Sequence, residues 1–132
     1  MTTHTENGPD VRIAERFLTA YRSHDWEALR ALFTADIAWS MPGTGTISGT
    51  VHGADAAIDR VREIVGRGLR TELLHVLSGQ YGVTLSLRNT AVTPDGRTLD
   101  EHLATVLTIR DGKITAIDSY LSDVGGMNAF FC

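Results

Sequence analysis

The sequence predicts an α+β domain in which helices cover one face of a curved antiparallel sheet. Three observations carry this. Apolar residues recur at helical steps only in the first half of the chain. The second half is made of β-rich runs separated by turn signals. The strongest of those signals, Pro94-Asp95-Gly96 and Asp111-Gly112, are hairpin-type turns, which join neighbouring strands in antiparallel order.

Taken in order, residues 1–9 read as a flexible polar tail and 10–132 as one domain. "DVRIAERFLTAYRSH" sets Ile13, Phe17, Leu18 and Tyr21 on one helical stripe, with charges opposite and Asp10 as the expected N-cap. Asp25 can cap a second helix, "WEALRALF", whose Leu29, Leu32 and Phe33 repeat at helical steps. "DIAWSM" alternates: Ile37, Trp39 and Met41 face one way, Ala38 and Ser40 the other, as in a half-buried strand that Pro42-Gly43 ends. A third helix, "GADAAIDRVREIVGRG", lines up Ala57, Ile58, Val61, Ile64 and Val65 against a charged face. "LRTELLHVLS", "YGVTLSLRNTAV", "LDEHLATVLTIR" and "KITAIDSYLS" follow as strands. The tail "DVGGMNAFFC" offers Met127, Phe130 and Phe131 for packing.

Length and composition exclude several classes of function. A chain of 132 residues suits one core. The net charge is −4 and the arginines are dispersed, which speaks against nucleic acid as a partner. No apolar run approaches membrane-spanning length. The start carries no signal-like pattern, and the one cysteine, Cys132, cannot close an internal disulfide, so a reducing cytoplasm is the expected location. Five dispersed histidines give no metal-ligand spacing, and "GTGTISG" lacks the lysine of a phosphate-binding loop. Neither a metal nor a nucleotide cofactor is expected.

The pieces "FLTAYRSHDWEALRALFTADIAW", "WSMPG" followed by "ISGTVHGADAAI", and "RDGKITAIDSYLSD" have a further meaning in this order. Over about Val11 to Phe131 the chain resembles the nuclear transport factor 2-like superfamily, and within it the SnoaL-like branch of small cyclases, isomerases and pocket proteins. The resemblance implies a cone-shaped sheet around an apolar pocket, with three N-terminal helices on its concave side, and commonly a homodimer formed through the outer face. It also implies that Trp39 and Met41 point into the cone while the glycine-rich segment after them shapes its rim.

Function within that fold depends on a few pocket positions. Ketosteroid isomerases place a carboxylate base, a phenol and a buried acid where this chain has Met41, Phe17 and Thr105. Limonene epoxide hydrolases place an aspartate where it has Ser119, and their arginine–aspartate pair has no counterpart in "GVTLSLRN". Neither reaction is expected. Phe17, Tyr21, Trp39, Met41, Thr105 and Ser119 are the expected substrate-binding residues. Other titrating groups lie in strands: His75 in "LLHVL", Glu101-His102 in "LDEHLAT", and Asp118 and Tyr120 in "AIDSYLS". A neutral histidine beside a carboxylate can move a proton near neutral pH, so His102 and then His75 are the expected catalytic residues. His102 faces outward in the register that turns Thr105 inward, unless a bulge near Asp100 shifts it. Tyr21, on the stripe of Phe17, could bring its hydroxyl to the pocket.

Two functions fit. One is a cofactor-free cyclase or isomerase acting on a hydrophobic, polyketide-like substrate. The other is a dimeric, non-catalytic binder of an apolar small molecule.

Overall fold

A computed structural model describes residues 8–132; the expected tail, residues 1–7 of it, lies outside the described residues. Ten elements follow one another: α1 (Pro9–Ser23), α2 (Trp26–Ala31), β1 (Phe33–Met41), β2 (Gly49–His52), α3 (Ala54–Gly66), β3 (Arg70–Ser78), β4 (Gly82–Val92), β5 (Thr98–Arg110), β6 (Lys113–Leu121) and α4 (Val124–Phe130). The strands form one sheet in the order β2-β1-β6-β5-β4-β3.

The α+β class and the helices' place on one face hold. The sheet, however, is mixed: β1 runs parallel to β6, while every other neighbouring pair is antiparallel. Hairpin turns dictate the antiparallel pairs among β3 to β6. β1 meets β6 across most of the chain, where no turn signal fixes direction.

Local chemistry explains several shifted boundaries. Gly8 is the N-cap of α1 and Pro9 its first residue, where a missing N–H costs nothing; Asp10 sits in the first turn instead. The α2 helix stops at Ala31, with Asp25 accepting from the Ala28 N–H at 3.1 Å. Phe33 then opens β1 rather than closing a helix. The tail is partly helical: Asp123 caps α4 by accepting from the Gly126 N–H at 2.8 Å, and Met127 and Phe130 are buried.

Inner and outer faces alternate cleanly along β4 and β5. Val83, Leu85, Leu87, Asn89 and Ala91 of β4 face the helices, as do Leu99, Glu101, Thr105, Leu107 and Ile109 of β5. Val83 and Leu85 are therefore core residues, 2% and 1% exposed. Helix α1 packs on β4, α3 on β1 and β2, and α4 on β5. Register shifts interrupt the pairing at Leu73/His75 and Thr108/Ile109, and such bulges bend and twist a sheet. No helix among the described residues is long and apolar enough to cross a membrane.

The glycine-rich segment has a different task from the one expected. It seats the C-terminal helix. Thr46 N–H donates to the Phe131 carbonyl at 2.7 Å and Thr44 N–H to Asn128 Oδ1 at 2.7 Å. Gly43 has φ of +98° and faces the Asn128 side chain, and at Gly45 a side chain would press on the Phe131 carbonyl. Only glycine lets the two backbones approach this closely.

Candidate functional site

Between α1, α3 and the sheet lies a cavity lined by Phe17, Leu18 and Tyr21 of α1, Ile64 of α3 and Trp39 and Met41 of β1. Thr71, Leu87, Asn89, Leu103, Thr105 and Ser119 complete the wall from the four later strands. All six residues expected to bind substrate are in this wall. Strand alternation explains why: Trp39 and Met41 share a face, and Thr105 stands directly opposite Ser119 across the β5–β6 pair. The free volume is about 50 Å³, enough for a few waters. Small-molecule sites usually offer about 300–1,000 Å³, so a ligand enters only as wall side chains swing aside. Met41 is unbranched and adaptable, while Tyr21 and Leu103 are only half-buried.

Polar groups converge on the cavity from two sides, and their directions follow from donor counts. Thr71 Oγ1 donates its single proton to Asn89 Oδ1 at 2.7 Å. The Tyr21 hydroxyl, 3.1 Å from Thr71 Oγ1, must then be the donor of that bond. Burial raises the Tyr21 pKa, with the Thr71 hydrogen bond opposing it, so the phenol stays protonated at neutral pH. Across the cavity, Trp39 Nε1 donates to Ser119 Oγ at 3.0 Å, which leaves the Ser119 proton free to donate elsewhere. Behind Trp39, the buried Arg60 donates to the Trp39 carbonyl at 2.9 Å and to the Ser48 carbonyl at 3.2 Å. Its guanidinium carbon stands 5.5 Å from the Trp39 ring centre. The site is thus apolar in body, with uncharged hydrogen-bonding groups fixed at its edges.

The expected catalytic histidines do not reach it. His102 is exposed and pairs with Arg88 on the outer face; the β5 register is unbroken from Thr98 to Thr108, so no bulge turns it inward. His75 is exposed as well, because the β3 bulge pairs it with the outward-facing Ser86. Asp118 is half-buried on the face opposite Ser119, and Tyr120 is exposed.

The same alternation carries Glu101 inside. It is 2% exposed, stands directly opposite Asn89, and precedes the wall residue Leu103 by one inward position. Its Oε1 is the one buried side-chain polar atom among the described residues without a hydrogen-bond partner. Burial, then the nearby Asp123, pushes its pKa up to about 7. Ser122 N–H donates to the His102 carbonyl and His102 N–H to Ser122 Oγ, each at 2.9 Å, which fixes the chain next to Asp123 against β5. Counting back by twos from Thr105 in "DEHLAT" reaches Glu101, so a signal existed in the sequence; the neighbouring histidine drew attention from it.

Comparison with known proteins places the chain. Residues 14–117 match the SnoaL-like domain. Bal32a, from a soil-derived mobile gene cassette, superposes with a TM-score of 0.87 at 26% identity, over 94% of this chain and 97% of that one. An NTF2-like protein of Burkholderia xenovorans LB400 gives 0.80 at 21% identity, over 92% and 95%. TerC, co-crystallised with polyporic acid, gives 0.80 at 17% identity, over 93% and 98%. With most of its length matched by that family model and its fold shared with NTF2-like proteins, the chain belongs to the SnoaL-like family.

Proposed function

We propose that this protein is a cofactor-free enzyme of the cyclase or isomerase type, acting on a hydrophobic, polyketide-like molecule held in the cavity. One observation carries the reading: aromatic and aliphatic walls combine with uncharged donors and acceptors at fixed positions. Such a site excludes water, packs an apolar chain in one shape and holds its carbonyl or hydroxyl groups. Holding reacting groups in place lowers a barrier by up to about 7–11 kcal/mol in the most favourable cases. That TerC, which shares the fold, was co-crystallised with polyporic acid is in keeping with a small-molecule ligand.

Binding is tested by tryptophan emission. Trp39 lines the cavity, whereas Trp26 stacks on His24 at 5.3 Å, away from it. A quinone such as menadione is expected to quench the wild type and the Trp26→Phe protein alike. Trp39→Phe is expected to lose most of the response. Equal loss in both variants would refute the cavity as the binding place.

The second reading, a non-catalytic binder, is favoured by how few charged groups face inward. The two readings part on turnover, since a binder quenches but converts nothing.

The protein is also proposed to work as a homodimer joined through the outer sheet face. Thr84, Ser86, Ala104, Val106 and Thr108 make that face weakly polar, and the exposed Tyr120 and Leu77 extend it. Light scattering at micromolar concentration is expected to return twice the chain mass of 14.3 kDa, and a monomer mass would remove the proposal.

A further inference from the structure

We propose that Glu101, buried next to the wall residues Asn89 and Leu103 but not itself in the wall, is the proton-transferring residue for a molecule that opens the cavity toward it, with Asn89 to hold the polar end of that molecule. The assignment rests on the cavity reading above and adds the group that would do chemistry there. Its basis is geometric. Glu101 and Asn89 face each other across the β4–β5 pair on the inner side, where directly opposed side chains start about 4.5–5.5 Å apart. Asn89 spends its Oδ1 on Thr71, which leaves its amide N–H groups as donors at the cavity wall. Glu101 Oε1 has no partner at all. A buried polar atom without a hydrogen bond costs about 1–3 kcal/mol, and a site for a ligand explains why it is kept.

The electrostatics agree. The polar side chains of the flanking residues, Arg88, Asp100 and His102, lie on the outer face, and Arg88 and Asp100 satisfy each other at 2.7 and 2.9 Å. On the inner side the charge near Glu101 comes from Asp123 at the start of α4, a second carboxylate. With no cation to hold it ionised, Glu101 exchanges its proton near neutral pH, where a base and its conjugate acid are both available. Glu101 is also none of the positions where the resemblance to ketosteroid isomerases and limonene epoxide hydrolases would put an acid or base, which here hold Met41, Phe17, Thr105 and Ser119.

A self-contained probe tests this. In 5-nitrobenzisoxazole a base takes the ring C–H proton. The electron pair of that bond forms the nitrile, the N–O bond breaks, and a coloured cyanonitrophenolate leaves. Glu101 carboxylate would hold the proton and return it to solvent. The wild type is expected to accelerate this elimination, with a rate that rises with pH and levels off above about 7. Glu101→Gln is expected to lose about 100-fold or more of the acceleration while the probe still quenches Trp39. A His75→Gln/His102→Gln protein is expected to match the wild type.

Several results would overturn the assignment. Full activity in Glu101→Gln would, and so would loss of activity in the double histidine variant, which would return the proton to the histidines. A flat wild-type profile between about pH 5 and 9 decides against it even if the variant fails to fold. Quenching without acceleration over an equal concentration of acetate removes Glu101 as a base and leaves the cavity reading standing. Absence of Trp39 quenching removes both.

Discussion

Replacing Arg60 by methionine is expected to lower stability by about 2–3 kcal/mol and the melting temperature by roughly 10 °C. Arg60 is a charged residue of α3 buried to 6% exposure, and no ion pair among the described residues involves it. Burial lowers its pKa, with Glu63 opposing, but a guanidinium remains charged at any pH of interest. Its compensation comes from two carbonyls and a ring. One carbonyl belongs to Trp39 in the cavity wall and the other to Ser48 at the end of the glycine-rich segment. Methionine fills similar space and removes the cost of burying a charge, which alone would be neutral or favourable. It also takes the side-chain donor from both carbonyls, at about 1–3 kcal/mol for each group left short, and removes the cation over Trp39. The second effect outweighs the first. Urea unfolding followed by far-ultraviolet circular dichroism measures the difference. Because Arg60 ties Trp39 to the segment that seats α4, the variant is also expected to quench less with menadione. Unchanged stability together with unchanged quenching would show that Arg60 is a passenger.

What sequence reasoning reached, and what it missed, divides along one physical line. Local patterns were legible: three helices, the β-rich second half and the two hairpin turns all follow from spacing and turn chemistry. Inward positions were legible wherever a two-residue alternation could be anchored, as for Trp39 with Met41 and for Thr105. Long-range partners were not. That β1 lies parallel to β6 depends on packing between segments about 80 residues apart in sequence. The helical end of the tail depends on Asp123 as a cap and on the glycine-rich segment as its seat, which no local pattern in "DVGGMNAFFC" announces. Glu101 belongs to a third kind. Its orientation was within reach, but its importance comes from what surrounds it: an uncharged partner in Asn89, a carboxylate in Asp123, and no hydrogen bond for Oε1. Those are facts of assembly. Titration chemistry read from residue type alone favours histidine, and it led to His102 and His75 on the exposed face.

The surroundings of Glu101 also predict how the whole fold responds to pH. An ordinary glutamate titrates at 4.5, and Glu101 in the folded chain at about 7, so between those values the folded state binds a proton that the unfolded state has released. Stability is therefore at its fullest below about pH 4.5, as far as this group is concerned, and falls as pH rises through 7. Above that it stays low, because an ionised Glu101 is then buried beside Asp123. The full difference is about 3 kcal/mol, a large fraction of the stability of a domain this size. Burial is the main cause, so salt is expected to change the effect little, whereas removing Asp123 recovers a smaller share. Glutamine at 101 cannot ionise and nearly keeps the shape. The Glu101→Gln protein is thus expected to match the wild type at about pH 5 and to exceed it at about pH 8. Subtracting the two urea titrations cancels every other titrating group they share. If the two proteins keep the same difference at both pH values, Glu101 is either ionised throughout or reaches water, and the buried, unpartnered carboxyl that the proton-transfer proposal needs does not exist in solution.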